Sequence, residues 1–266
     1  MPTPFPITPN ATLHRLRAGK MALGFGVHHL RTAAVPMLAH AAGYDWLFID
    51  TEHGAFSVQE ATQLCLAALP LGITPIVRVC AGALDEGTRA LDNGAQGIVV
   101  PHVDTPAQAR QVAEAFRFPP NGRRSWGGPP FAYGLRAPAS DVAQAEINRE
   151  VLVVAMIETG EAVANADAIA AVPGIDVLLF GTNDLTGDLG IPGQLGHARV
   201  QEAYRSVAEC CRRHRKVLGM GGVYDETLAR TYMAIGARFV LGGGDHQFLM
   251  SAATARADFL RGCAEG

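Results

Sequence analysis

The chain has 266 residues, 48% of them hydrophobic and 18% charged, and a formal net charge of −3. That is enough chain for a sizeable core, and for an α/β barrel of roughly 250 residues as one domain. The composition excludes a disordered chain, and the absence of a basic excess argues against a nucleic-acid partner.

No apolar stretch reaches the ~20 residues of a membrane-spanning helix. The start, Met1-Pro2-Thr3-Pro4-Phe5-Pro6, lacks the basic residues and apolar centre of a signal peptide. Five cysteines, with only the adjacent Cys210-Cys211 for spacing, point to reduced thiols in a cytoplasmic protein. Residues 1–12 read as an extended arm and 13–20 as a short helix. Apolar runs then recur at 21–27, 46–50, 74–79, 97–100, 151–157, 177–180, 217–220 and 239–241. Helical patterns separate them at 31–42, 58–69, 86–92, 106–116, 160–171, 201–214 and 225–235. Three helix-to-strand joints carry glycine just past the helix end, at Gly43, Gly94 and Gly236. Near-continuous apolar strands alternating with helices describe a parallel sheet covered on both sides, and eight such units predict a single (β/α)8 barrel spanning residues 1–266. One segment breaks the rhythm. Residues 118–141 hold Pro119-Pro120, Gly127-Gly128 and Pro129-Pro130 among Arg123, Arg124, Trp126 and Tyr133. A loop of this length is read either as a substrate-covering lid or as a subunit contact.

In such a barrel the site lies at the carboxyl ends of the strands. The second apolar run ends in Asp50-Thr51-Glu52-His53-Gly54, which sets three titratable groups beside one bend. The third carries Arg78, a cation that must meet an anion: a substrate, or Glu52 or Glu158 in a structural pair. The fourth ends at His102, which reads equally as a packed or a functional histidine. The fifth ends in Glu158, and the sixth in Gly181-Thr182-Asn183-Asp184. Glu158 and Asp184, on neighbouring strands and without Cys or extra His beside them, suit a hard divalent ion such as Mg²⁺ or Mn²⁺. The seventh and eighth runs end in glycines. Lys20 and Lys216 both precede strands, so neither is placed for a Schiff base.

Taken together, the motifs Asp50-x-Glu52-His53, Val77-Arg78-Val79, Asp92-Asn93-Gly94-Ala95-Gln96-Gly97, Val100-Pro101-His102-Val103, Ile157-Glu158-Thr159 and Gly181-Thr182-Asn183-Asp184-Leu185 resemble the HpcH/HpaI aldolase family, in this order and over most of the chain. The resemblance implies a metal-dependent class II pyruvate aldolase that cleaves 4-hydroxy-2-oxoacids to pyruvate and an aldehyde through a stabilised enolate, with oxaloacetate decarboxylation as a side activity. It implies His53 as the base, Arg78 on the pyruvate oxygen, and Glu158 and Asp184 on a divalent ion (Mg²⁺ or Mn²⁺, with Co²⁺ a further candidate). Gly181, Thr182 and Asn183 would take the carboxylate, with Asp50 and Glu52 in support and no organic cofactor. Asp92 would raise the basicity of His53. It falls at a helix end on the wrong rim of its own barrel, so a neighbouring subunit of a homo-oligomer, a trimer of dimers in the family, would supply it. Two departures stand out. Met156 occupies a position where many relatives carry glutamine, and Arg123-Arg124-Ser125-Trp126-Gly127-Gly128 replaces a simpler Arg-Gly, which bears on the aldehyde. The rival readings are a CoA-thioester lyase of the citrate-lyase-like branch and a phosphosugar-binding barrel.

Overall fold

The computed structural model describes residues 3–265. Eight strands, β1 (Ala22–Val27), β2 (Trp46–Asp50), β3 (Thr74–Arg78), β4 (Gly97–Val100), β5 (Leu152–Ile157), β6 (Val177–Gly181), β7 (Val217–Gly221) and β8 (Phe239–Gly244), pair in parallel and in sequence order. β1 also pairs with β8, which closes the barrel. The eight expected runs are therefore the eight strands.

Closure explains the unbroken apolar runs, because each strand is buried on both faces. Side chains alternate between the two. Trp46, Phe48, Ile76, Val99, Leu152, Val154, Met156, Leu179 and Phe239 fill the barrel interior, with Trp46 stacked on Phe239 at 4.0 Å between ring centres. Leu47, Ile49, Val77, Ile98, Val153, Ala155 and Ile157 face the helices instead. This alternation also aims the charges. Asp50 follows Trp46 and Phe48 in step, Arg78 follows Ile76, and Glu158 follows Met156, so all three carry interior parity at the carboxyl rim.

The amino rim is plugged. Asn10 caps the helix Ala11–Arg17 by accepting the Leu13 N–H, and Leu13 and Leu16 enter the interior core from below. This helix starts two residues earlier and ends three earlier than the 13–20 expected, because the buried Asn10 side chain sets its start. Of the expected arm, Met1 and Pro2 lie outside the described residues. The expected helix 160–171 is two short ones, Gly160–Ala164 and Ala166–Ala170. Among the described residues three further α-helices, Ser140–Glu150, Thr182–Asp188 and Asp245–Glu265, join those expected. No helix among the described residues is long and apolar enough to cross a membrane.

The long loop stays at the amino rim. It leaves the helix Pro106–Phe116, which runs back from the carboxyl end, and packs against the arm: the Phe5 N–H donates to Arg136 O, and the Thr8 N–H to Ala132 O. Arg136 lies over the Phe5 ring. The segment read as a lid therefore does not cover the site of its own barrel. A connection that follows a helix emerges at the opposite end from one that follows a strand, whatever its composition.

Candidate active site

Asp50 is the centre of the rim. It is fully buried, and register pairs it directly with Arg78 on the next strand. Arg78 Nε donates to Asp50 Oδ1 at 2.9 Å and Nη2 to Oδ2 at 2.6 Å, a two-pronged ion pair. Nη1 lies 3.0 Å from Glu52 Oε2, and the guanidinium sits over the Phe48 ring. Arg78 is thus held chiefly by Asp50, where sequence reasoning offered Glu52 or Glu158 as structural partners. Asp50 Oδ1 also accepts the N–H groups of Glu52 and His53, which folds the bend. A side chain at Gly54 would put its Cβ 2.3 Å from Asp50 O, so this turn requires glycine. Burial alone would raise the Asp50 pKa. The Arg78 hydrogen bonds and charge, the His53 N–H and nearby His28 outweigh it and hold the carboxyl below its ordinary range.

A cavity of about 280 Å³ opens above this pair, lined by His28, His53, Arg78, Met156, Asn183, Asp184 and Tyr224 among others. The His53 side chain is 68% exposed, with Nε2 3.9 Å from Glu52 Oε2. Glu158 lies beneath the lining, 1% exposed, and accepts the His102 N–H at 2.7 Å. His102 takes a left-handed φ of 52° to make that contact, with Nδ1 3.4 Å from the same carboxylate. Its backbone thus has a part in the site that neither sequence reading of His102 assigned. A Cβ at Gly181 would meet Glu158 Oε1 at 2.4 Å, so the carboxylate occupies the space that glycine leaves. Burial, joined by the like charge of Asp184, outweighs the His102 N–H and Arg78 and pushes the Glu158 carboxyl up to about 7.

This shift has a sign that can be tested. A carboxyl that titrates at about 7 when folded, against 4.5 unfolded, binds more protons in the folded state. Its contribution to stability is complete below the unfolded value and disappears as pH rises through 7. Metal-free protein should therefore lose stability relative to Glu158→Gln as pH rises above the unfolded value and through about 7. Urea unfolding of both proteins across that range measures it. A difference that does not vary with pH would remove the perturbed carboxyl.

Asp184 is exposed in the first turn of the helix Thr182–Asp188, which begins where β6 ends. The first N–H groups of a helix lack intrahelical partners, so Gly181, Thr182 and Asn183 present backbone donors. The Thr182 hydroxyl is committed elsewhere, donating to Gly221 O and bonding the Tyr204 hydroxyl, both within buried structure. Asp92 ends the helix Leu84–Asp92 at the amino rim and pairs with buried Arg124 at 2.6 Å. The structure brings together Asp50, Glu52, His53, Arg78, Glu158, Gly181, Asn183 and Asp184, and leaves Asp92 at the other end of the barrel. Lys20 is exposed, and Lys216 Nζ donates to Val172 O and Ile175 O; neither lines the cavity.

Sequence reasoning missed His28, Tyr224 and Asp245. For His28 and Asp245 the signal was present: His28-His29 directly follows β1, and Asp245-His246 directly follows the β8 glycines.

The closed barrel and the polar cavity at its carboxyl rim define a barrel enzyme. The chain belongs to the HpcH/HpaI aldolase/citrate lyase family, whose model matches residues 29–252. It is a carbon–carbon lyase of the aldolase class, and enzymes of this family are metal-dependent. It is 38% identical to the 4-hydroxy-4-methyl-2-oxoglutarate aldolase of Hapsidospora irregularis over 246 residues, 90% of each chain. It is 35% identical to the 2-keto-3-deoxy-L-rhamnonate aldolase of Salmonella gallinarum, over 91% of this chain and 89% of that one. The crystal structure of an HpcH/HpaI aldolase from Desulfitobacterium hafniense superimposes with a TM-score of 0.85 at 30% identity, covering 95% of this chain and 96% of that one.

Proposed function

We propose that this enzyme cleaves 4-hydroxy-2-oxoacids reversibly to pyruvate and an aldehyde, with oxaloacetate decarboxylation as a side reaction, and that the residues at the carboxyl rim carry out the chemistry. The observation that carries this reading is the pairing of a buried arginine fork with two carboxylates around one cavity. The relatives named for 2-oxo acid substrates support it.

Glu158 and Asp184 fit a divalent ion. One is buried with the His102 N–H as its donor, the other adds a like charge, and the pair is short of the positive charge that a cation brings. All-oxygen donors favour Mg²⁺ or Mn²⁺, with Co²⁺ able to substitute. Such an ion, bound there, supplies Lewis-acid polarisation of the substrate's keto group.

The remaining steps belong to the chain's own groups. Asp50 and Glu52 hold Arg78 in one orientation, and its remaining N–H groups face the oxygen on which negative charge develops. The backbone N–H groups of Gly181, Thr182 and Asn183 take the carboxylate. His53 accepts the proton of the 4-hydroxyl during cleavage and returns it during addition. Asp92, together with Arg124 and the loop beside it, serves the site of a neighbouring subunit in a homo-oligomer. The exposed apolar residues Phe248, Leu249, Met250, Phe259 and Leu260 on one helix support such assembly. Free rather than paired cysteines among the described residues agree with a cytoplasmic setting.

His53→Ala should lower aldol cleavage by about 10²–10⁴, the usual scale of a positioned general base. Oxaloacetate decarboxylation, which needs no such base, should fall by roughly tenfold or less. Steady-state rates of both reactions on one preparation provide the comparison. Equal losses would make His53 structural.

Proton NMR of pyruvate in D₂O tests the whole reading. Loss of the methyl signal with Mg²⁺ or Mn²⁺, abolished by EDTA and restored by metal, is the expected result. No exchange with any divalent ion would redirect the search to CoA thioesters and phosphosugars.

A further inference from the structure

At the seam where β1 meets β8, a second polar cluster stands beside the site and takes no part in the chemistry above. His28 follows β1, and Asp245 and His246 follow β8. One ligand atom from each lies within 4.8 Å of the others. Asp245 is buried and held by four backbone donors: Oδ2 accepts the N–H groups of His28, His29 and Leu30 at 3.1, 2.9 and 2.7 Å, and Oδ1 that of His246 at 2.7 Å. Its Oδ1 lies 3.9 Å from His28 Nδ1 and 3.5 Å from His246 Nδ1.

The tautomer of His28 decides what this arrangement can hold. Its Nε2 lies 3.3 Å from Oδ2 of fully buried Asp50, a carboxylate that only accepts. The proton of a neutral ring therefore belongs on Nε2, and Nδ1 carries a lone pair. That Nδ1 is buried without a hydrogen-bond partner among the described residues. It looks toward a carboxylate oxygen and a second imidazole, so acceptor faces acceptor.

We propose that His28, Asp245 and His246 form a second cation site, selective for a borderline transition ion of the Zn²⁺ class. Imidazole nitrogens suit such ions, whereas the all-carboxylate pair Glu158 and Asp184 suits a hard one. A tetrahedral ion with bonds of about 2.05 Å sets its ligand atoms about 3.4 Å apart, close to the two separations given above. The exposed His246 ring has room to adjust, and water completes the fourth position. Asp50 behind His28 makes the carboxylate–histidine–metal arrangement that orients a ligating ring. The ion would pin the barrel seam and, through Asp50, the residue that holds Arg78. This inference goes beyond the aldolase reading and does not need it to hold.

Calorimetric titration with Zn²⁺ alone, on the full chain carrying Glu158→Gln and Asp184→Asn, tests the site with the hard-ion pair removed. One ion per chain is expected, and Co²⁺ alone should give the visible bands of a low-coordinate site. Adding His246→Ala should weaken binding at least roughly tenfold and bleach those bands, and adding His28→Gln should do the same from the other ring. His40→Ala, at an exposed histidine of the amino rim, should change neither. Circular dichroism confirms that each variant is folded. No Zn²⁺ binding in the double carboxylate variant, or binding that survives both histidine changes, overturns the proposal.

Discussion

Arg78→Ala should reduce aldol cleavage and oxaloacetate decarboxylation together, each by about 10²–10³, because both develop negative charge on the oxygen this guanidinium faces. The same change removes both hydrogen bonds from a carboxylate that has no access to water. An uncompensated buried charge costs about 3–5 kcal/mol, so the variant should also unfold earlier. The two effects are separable. Asp50→Asn neutralises the stranded carboxylate, so Arg78→Ala with Asp50→Asn should recover much of the lost stability and none of the lost turnover. Thermal unfolding and kcat/KM on the single and double variants read both. Activity that returns along with stability would reduce Arg78 to a structural ion pair. Low pH supplies a second check on sign. The depressed Asp50 pKa stabilises the fold above the ordinary carboxylate value, and that contribution is lost as pH falls below this value and through the lower folded one. The stability gap between the wild type and Arg78→Ala should therefore narrow under acid.

Glu158→Ala or Asp184→Ala should bring turnover down to that of the metal-free protein, since a Lewis acid supplies several kcal/mol of charge stabilisation and each kcal/mol compounds in the rate. The two variants should differ in stability. Asp184 is exposed at a helix start, and its loss should change stability by about 0.5 kcal/mol or less. Glu158 is buried against Gly181, and its removal leaves a hollow while relieving a charge that is poorly solvated. Mn²⁺ binding followed by electron paramagnetic resonance should fail in both. Metal-dependent turnover at unchanged Mn²⁺ affinity in either one would dismiss the pair as the ion's ligands.

Much of this protein is legible in its sequence. Strands buried on both faces must be apolar along their length, so the eight runs announced a parallel barrel, and a barrel brings the residues that end its strands onto one rim. His53, Arg78, Glu158 and Asp184 could be collected on that ground alone. The direction of the charges came with the strands themselves, since period-two alternation carries Asp50 inward behind the interior residues Trp46 and Phe48.

What lay beyond the sequence was set by distances that no local pattern encodes. The partner of Arg78 was decided by the β2–β3 register, which places Asp50 opposite it and nearer than Glu52 or Glu158. Barrel closure brought Asp245 to the backbone of His28, 217 positions away in the chain, and so created a cluster that neither segment shows by itself. The polar motif does not say where the Thr182 hydroxyl goes; packing turned it toward Gly221 and Tyr204. The loop at 118–141 has the arginines and aromatics of a lid, but chain direction sends it to the amino rim, where Arg124 meets Asp92. Sequence determined which residues are apolar, which carry charge and which way each strand face points, since these depend on side-chain chemistry and local periodicity. Tertiary structure decided who meets whom, since register, closure and chain direction are properties of the whole barrel.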